Sequence, residues 1–212
     1  MKRLVIAVDG PAAAGKGTLA RRLALTLGLP HLDTGLLYRA VGRRVLDQGG
    51  DPADFQIAEA AAASLVADDL GRSGLRGPEA DRASSLVAAH PGVRAALVAF
   101  QRRFAEGGAV LDGRDIGTVI LPDAGLKLFV TASPEARARR RWHELQARDP
   151  SVTLASVSAD LTARDARDLQ RDAAPLRPAD DAVLLDTTAL DAEMAFARAL
   201  QIVRERLPAG VV

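Results

Sequence analysis

The sequence predicts an α/β fold in which a mostly parallel, five-stranded sheet is covered by helices on both faces. Three observations carry this expectation. Short runs of valine, leucine and isoleucine alternate with longer stretches of helical periodicity. Several of these runs end in an aspartate, as buried strands do where they give way to a loop. The 212 residues, 48% hydrophobic, suffice for one sizeable core.

Each element follows in order. Arg3 to Val8 is a short apolar run that stops at Asp9-Gly10 and reads as a buried strand. Thr18 to Leu27 has helical periodicity and stops at Gly28. A second strand spans Pro30 to Asp33, a helix runs from Leu36 to about Asp47, and Gln48 to Pro52 is a turn. The alanine-rich stretch Ile57 to Ala67 is helical, whereas Asp68 to Pro78 is polar, glycine-rich and reads as an exposed loop. Glu79 to Ala89 and Gly92 to Ala105 are helices separated by Pro91, which restricts its predecessor and starts a helix well. Ala109 to Asp112 and Lys127 to Thr131 are core strands. Pro134 to Ala147 is a basic helix, Leu154 to Asp172 another, Ala182 to Asp186 a fifth strand and Glu193 to Arg206 the last helix. In such a sheet ligands meet the carboxyl ends of the strands, here Asp9, Asp33, Asp112, Thr131 and Asp186.

Composition removes several function classes. Without cysteine there is no disulfide framework, thiolate metal site or thiol catalysis, and a reducing cytoplasm fits. The 28 basic and 27 acidic side chains leave a net charge of +1, which argues against nucleic acid or a membrane surface as a general partner. The apolar stretch at Met1 to Ile6 is too short for a signal peptide, and no later segment is long enough to span a bilayer. His31, His90 and His143 are scattered without metal-ligand spacing.

The strongest local signal lies between the first strand and the first helix: Gly10-Pro11-Ala12-Ala13-Ala14-Gly15-Lys16-Gly17-Thr18. Small residues let consecutive backbone N–H groups converge on phosphate oxygens, and the following helix turns its positive end toward the same anion. Lys16, one of only three lysines, supplies the charge that a transferring phosphoryl group needs. The common pattern has Ser or Thr directly after the lysine. Here Gly17 stands there and the hydroxyl comes at Thr18, so a magnesium ion is expected to be held through water, with Asp33 or Asp112 orienting that water or else capping the next helix.

Two arginine clusters follow. One is Arg137, Arg139, Arg140 and Arg141, continuing to Arg148, with Arg137 and Arg141 on one helical face. The other places Arg164, Asp168 and Arg171 along one stripe that also takes in Arg167. Arginine grips phosphate oxygens bidentately and keeps its charge. Either cluster alone is compatible with a solvated face of ion pairs. Trp142, beside the first cluster, either stacks on a base or packs.

In combination the motifs resemble one family along nearly the whole chain, the bacterial cytidylate kinases of the P-loop nucleoside monophosphate kinases. They are Asp9 to Thr18, Leu32-Asp-Thr-Gly-Leu-Leu-Tyr-Arg39, Ala83 to Arg94, Asp112-Gly-Arg-Asp-Ile-Gly-Thr118 and Arg164 to Arg171. The resemblance implies one kinase domain, with residues 1–35 and 106–212 as core, a lid at about 137–172 and a nucleotide-binding insertion at 36–105. It implies transfer of the γ-phosphoryl group of ATP, with Mg²⁺, to CMP or dCMP by a cytoplasmic monomer. Lys16, Arg114 and Arg171 would be the catalytic cations. The loop from Gly10 to Thr18 together with Arg137, Arg140 and Arg141 would bind ATP.

By the same resemblance Thr34, Arg39 and Arg114 would hold the acceptor's phosphate. Ser85, Arg94 and Asp115 would read cytosine, Arg164 and Asp168 would hold the sugar, and Arg171 would lie near the transferring group. Between Asp68 and Pro78 the chain is shorter than relatives that carry a small extra lobe there, with Leu75-Arg76 as its remnant. The rival readings are a kinase for another small acceptor such as UMP and a nucleotide switch that keeps only the phosphate loop.

Overall fold

A computed structural model describes residues 3–147, 149–171 and 174–207, so Arg148 and Asp172 of the two basic segments lie outside the described residues. The chain forms strands β1 (Val5–Asp9), β2 (His31–Asp33), β3 (Ala109–Gly113), β4 (Leu126–Thr131) and β5 (Val183–Asp186). Helices α1 (Lys16–Leu27), α2 (Thr34–Asp47), α3 (Phe55–Ala63), α4 (Pro78–Val87) and α5 (Pro91–Ala105) precede β3 or interleave with the first strands. Helices α6 (Pro134–Gln146), α7 (Leu154–Gln170) and α8 (Ala192–Arg206) follow β4. The strands are all parallel in the order β2-β3-β1-β4-β5.

Central strands read as apolar because both of their faces are covered. Alternate residues point to opposite sides, so Ala7 and Leu111 join the core beneath α2, α3 and α5, whereas Ile6, Val8 and Val110 join the core beneath α1 and α8. α2 and α4 approach closely because residue 42 is glycine: a Cβ there would lie 2.9 Å from that of Ala83. A third, smaller cluster of Ala12, Ala138, Leu145, Val157 and Leu161 ties α6 and α7 to the phosphate loop, and Trp142 packs against it. Its indole N–H donates to the Val152 carbonyl at 3.0 Å, so of its two readings packing is the one this structure shows.

Two stretches depart from the sequence expectation. The alanine-rich helix ends at Ala63 instead of Ala67, where the Ser64 hydroxyl donates back to the Ala60 carbonyl at 2.9 Å. The supposed loop then opens with a 3₁₀ turn at Ala67–Gly71. The buried Asp69 carboxylate accepts from the Val66 N–H at 3.0 Å and from Arg44 at 2.8 Å, and Leu75 is buried as well. Between β3 and β4 a π-turn, Ile116–Ile120, was not foreseen. Among the described residues no single helix is long and apolar enough to cross a membrane.

Candidate active site

β1 ends at Asp9 and the chain turns at once into Gly10, with φ 148°. A Cβ on that residue would lie 1.9 Å from the Val130 carbonyl oxygen of the neighbouring strand, so only glycine fits. Ala13 (φ 59°) and Gly15 (φ 88°) also take positive φ, the kind of backbone reversal from which N–H nests for anions are made. α1 begins at Lys16 and directs its positive end there.

In front of this loop lies a groove of about 290 Å³. Lys16, Thr18, Arg39, Arg114, Arg141 and Arg164 line it, together with Asp33 and Asp112. Burial, and then the neighbouring Arg114, pull the Lys16 ammonium down to about 7. The Arg164 guanidinium is pulled down to about 10 by burial and again by Arg114. Seven basic side chains line the groove against four acidic ones, an excess of positive charge that suits a polyanion. Asp33 occupies the position before α2 without a side-chain capping bond, and Asp112 is held by His31 Nε2 at 2.8 Å. Neither carboxylate caps a helix through its side chain, and both face the groove.

A smaller cavity of about 40 Å³ adjoins the groove and gathers Thr34, Ser85, Arg94, Arg114, Asp115, Arg164, Asp168 and Arg171. These are all the residues expected to hold the acceptor except Arg39, which lines the groove next door. Arg94 and Asp115, both buried, form a direct ion pair beside the Tyr38 ring, whose centroid lies 5.7 Å from the guanidinium carbon. Ser85 Oγ accepts from Arg167 Nε at 2.9 Å, and Thr34 Oγ1 donates to the Asp112 carbonyl at 2.8 Å. Arg114 Nε donates to Asp168 at 2.8 Å. Burial alone would raise the Asp168 carboxyl, but Arg114, Arg164 and Arg171 together hold it below its ordinary value. Two buried groups on this cavity, Arg164 Nε and Arg171 Nη2, have no hydrogen-bond partner among the described residues.

The first basic cluster divides by role. Arg141 faces the groove, but Arg137 is buried against the loop's outer side. It donates to the carbonyls of Ala132 and Ala12 at 3.1 and 3.3 Å and pairs with Asp165 at 2.6 Å. Arg140 donates to Thr187 Oγ1 at 3.0 Å, to the Thr187 carbonyl at 2.5 Å and to the Leu190 carbonyl at 3.1 Å. It thereby shapes a second cavity, of about 400 Å³, between the phosphate loop, α6 and the segment leading into α8.

Several residues at the site escaped the sequence reading. Thr187 and Leu190 wall the second cavity. The strand-end rule that singled out Asp186 pointed one residue short of Thr187, whose hydroxyl oxygen lies 3.0 Å from both Ala14 O and Thr131 O, so that its one proton serves either carbonyl. Arg76, from the shortened segment, lines the groove, as does Asp81 of α4. Asp9 accepts the N–H groups of Ile116 and Gly117 at 2.8 and 2.7 Å, and burial raises its carboxyl to about 6 against the effect of those bonds.

A P-loop on the central strand, an arginine-lined groove and cavities on either side of it define a P-loop kinase. The chain belongs to the cytidylate kinase family, whose model matches residues 6–205. It is 66% identical over 207 residues to a cytidylate kinase of Granulibacter bethesdensis, covering 97% of this chain and 99% of the relative. With a cytidylate kinase of Methylocella silvestris it shares 62% identity over 202 residues, 94% of either chain. Crystal structures of an uncharacterized protein from Eubacterium ventriosum and of a protein from Thermus thermophilus share the fold. Their TM-scores are 0.53 and 0.50 at 16% and 23% identity; the first match covers 97% of this chain and 100% of that one, the second 99% and 100%.

Proposed function

We propose that the protein transfers the γ-phosphoryl group of ATP to CMP or dCMP, giving CDP or dCDP and ADP. The observation that carries this reading is the gathering of Thr34, Ser85, Arg94, Arg114, Asp115, Arg164, Asp168 and Arg171, from α2, α4, α5, the turn after β3, and α7 with its end, around one cavity that opens onto the phosphate groove. A nucleotide switch has no use for that second set of polar groups.

The parts divide as follows. The loop Gly10–Thr18 and Lys16 hold the β- and γ-phosphates, while the cavity walled by Thr187 and Leu190 takes the adenine. Thr34, Arg39 and Arg114 grip the acceptor phosphate. Asp115 accepts from the cytosine amino group and Arg94 donates to the ring nitrogen or carbonyl, the pattern that cytosine offers and uracil does not. Ser85 completes the base site, and Arg164 and Asp168 hold the sugar. Arg171 lines the acceptor cavity, where its Nη2 has no hydrogen-bond partner among the described residues and stands 3.8 Å from Asp168, and from there it adds positive charge toward the transferring group. Since the acceptor is already an anion, positioning and charge neutralisation do the catalysis and no general base is needed.

Arg137 and Arg140 act on ATP indirectly, by bracing the loop and the adenine cavity. The base enters as the insertion (about 36–105) swings from the core (1–35 and 106–212). The lid (about 137–172) then closes over the phosphates and excludes water. Thr18, Asp33 and Asp112 present to the groove the hard oxygen donors that suit Mg²⁺, directly or through water. When bound, that ion neutralises charge on the phosphates. All of these side chains come from one chain, so a monomer suffices.

The test is an ADP-release assay with ATP and Mg²⁺ in which CMP, dCMP, UMP, AMP, GMP and dTMP are offered separately. Turnover stimulated by CMP and dCMP well above the others is expected. Stimulation by none of them would sink the reading, and a preference for UMP would reassign the base site.

A further inference from the structure

Asp81 sits in the first turn of α4, and its side chain is only 19% exposed. Three guanidinium groups converge on this one carboxylate. Arg39 of α2 donates to Oδ1 through Nε at 3.3 Å and Nη2 at 3.1 Å. Arg164 of α7 brings Nη1 to 3.4 Å from the same oxygen, and Arg141 of α6 pairs with Oδ2. The carboxylate thus holds the paired N–H edge of Arg39, the edge that a guanidinium offers to a phosphate. Arg141 is occupied in the same way, by Asp81 on one nitrogen and by Glu144 on the other, at 2.7 Å.

We infer that Asp81 is a positioning residue that stands in for a substrate phosphoryl group in the free protein, holding Arg39, Arg141 and Arg164 together until a phosphate displaces it. This rests on the reading of the groove as the kinase's phosphate site. The geometry makes the cluster an ionic latch: it joins α4 of the insertion to α6 and α7 of the lid, with one carboxylate shared by three guanidinium groups, of which Arg39 also stands 3.8 Å from Asp33 and Arg141 pairs with Glu144. A phosphate dianion brings more charge and more acceptor oxygens than a carboxylate, so it wins the arginines, and the latch opens as the substrate is gripped. The cost is that binding competes with an internal ligand, which lowers apparent affinity by the fraction of molecules in the latched form. The gain is that the arginines are kept in place, close together, without mutual repulsion driving them apart.

The test uses Asp81→Asn, which keeps the shape and one acceptor oxygen, Asp81→Ala, which removes both, and Asp81→Glu as the conservative variant. Steady-state kinetics give KM and kcat for CMP, and a thermal-shift titration with inorganic sulfate reads dianion binding without any turnover. Removing the internal competitor should lower the KM for CMP and the sulfate dissociation constant about tenfold. It should not raise kcat, since product then leaves more slowly, and Asp81→Glu should return toward the parent values. A KM or sulfate constant that rises or stays put in both neutral variants would overturn the proposal. So would failure of both to fold, which would make the carboxylate a structural counter-ion. If the parent protein turns over no CMP, the kinase reading fails, and the sulfate titration still decides whether Asp81 competes for the arginines.

Discussion

Replacing Asp115 by asparagine separates base reading from charge balance. The carboxylate is 4% exposed and its ion-pair partner Arg94 6%, so neither group is solvated. Removing one member of a buried pair outright costs about 3–5 kcal/mol. Asparagine keeps an acceptor for Arg94, so the loss should be nearer 2 kcal/mol, or about 4–8 °C in Tm for a chain of this size. The effect on selectivity is larger in kind. With aspartate, the amino group of cytosine finds an acceptor, whereas the carbonyl of uracil faces a carboxylate with no proton between them. A buried mismatch of that sort costs about 1–3 kcal/mol, roughly 5- to 150-fold in kcat/KM. The asparagine amide can turn its N–H₂ toward uracil, so the ratio of kcat/KM for CMP over UMP should collapse by about that factor. ADP-release kinetics with both acceptors measure it, and thermal denaturation monitors the fold. A ratio that does not move in a folded variant would refute the assignment of Asp115 to the base.

Two further expectations follow from the donor side. Because burial and Arg114 hold Lys16 at about 7 in the free protein, phosphate binding should push its pKa back up. ATP binding above pH 7 should therefore take up protons, and more at pH 8 than at pH 6. Calorimetry in buffers of different ionisation enthalpy reads the uptake, which Lys16→Arg should abolish; no uptake at pH 8 would mean that Lys16 is charged throughout. Thr187→Val removes the hydroxyl that bonds Ala14 O and Thr131 O while keeping the shape. The KM for ATP should rise by a factor of about 5–100, as for losing a buried hydrogen bond, with the KM for CMP unchanged. A matched rise in both would show that Thr187 supports the fold as a whole.

Much of the architecture was legible because it rests on local rules. All five strands end where an apolar run meets Asp, Thr or Gly, and proline opens α4, α5 and α6 where its missing N–H costs nothing. The residues proposed for the acceptor rest on a resemblance alone, since Ser85 of α4, Arg94 of α5, Asp115 after β3 and Asp168 of α7 are united by no spacing rule. What stayed hidden depends on contacts far apart in sequence. Asp81 reads locally as an acidic residue suited to a helix start; only the packing of α4 against α6 and α7 brings it to Arg141 and Arg164. Arg137 and Arg140 looked equivalent to Arg141, yet a helix turns each to a different neighbour, and those neighbours, Asp165 and Thr187, are known only from the fold. The π-turn Ile116–Ile120 had no local signal, because its first N–H groups are satisfied by Asp9, more than a hundred residues earlier.

That last contact has a consequence for timing. Asp9 is the residue from which the phosphate loop departs, and the turn it secures directly follows Arg114 and Asp115, so the loop and the side chains proposed for the acceptor are fastened to one point in the middle of the sheet. A substitution at Asp9 would leave both nucleotides able to bind and yet misalign them, a defect visible in kcat before it is visible in either KM.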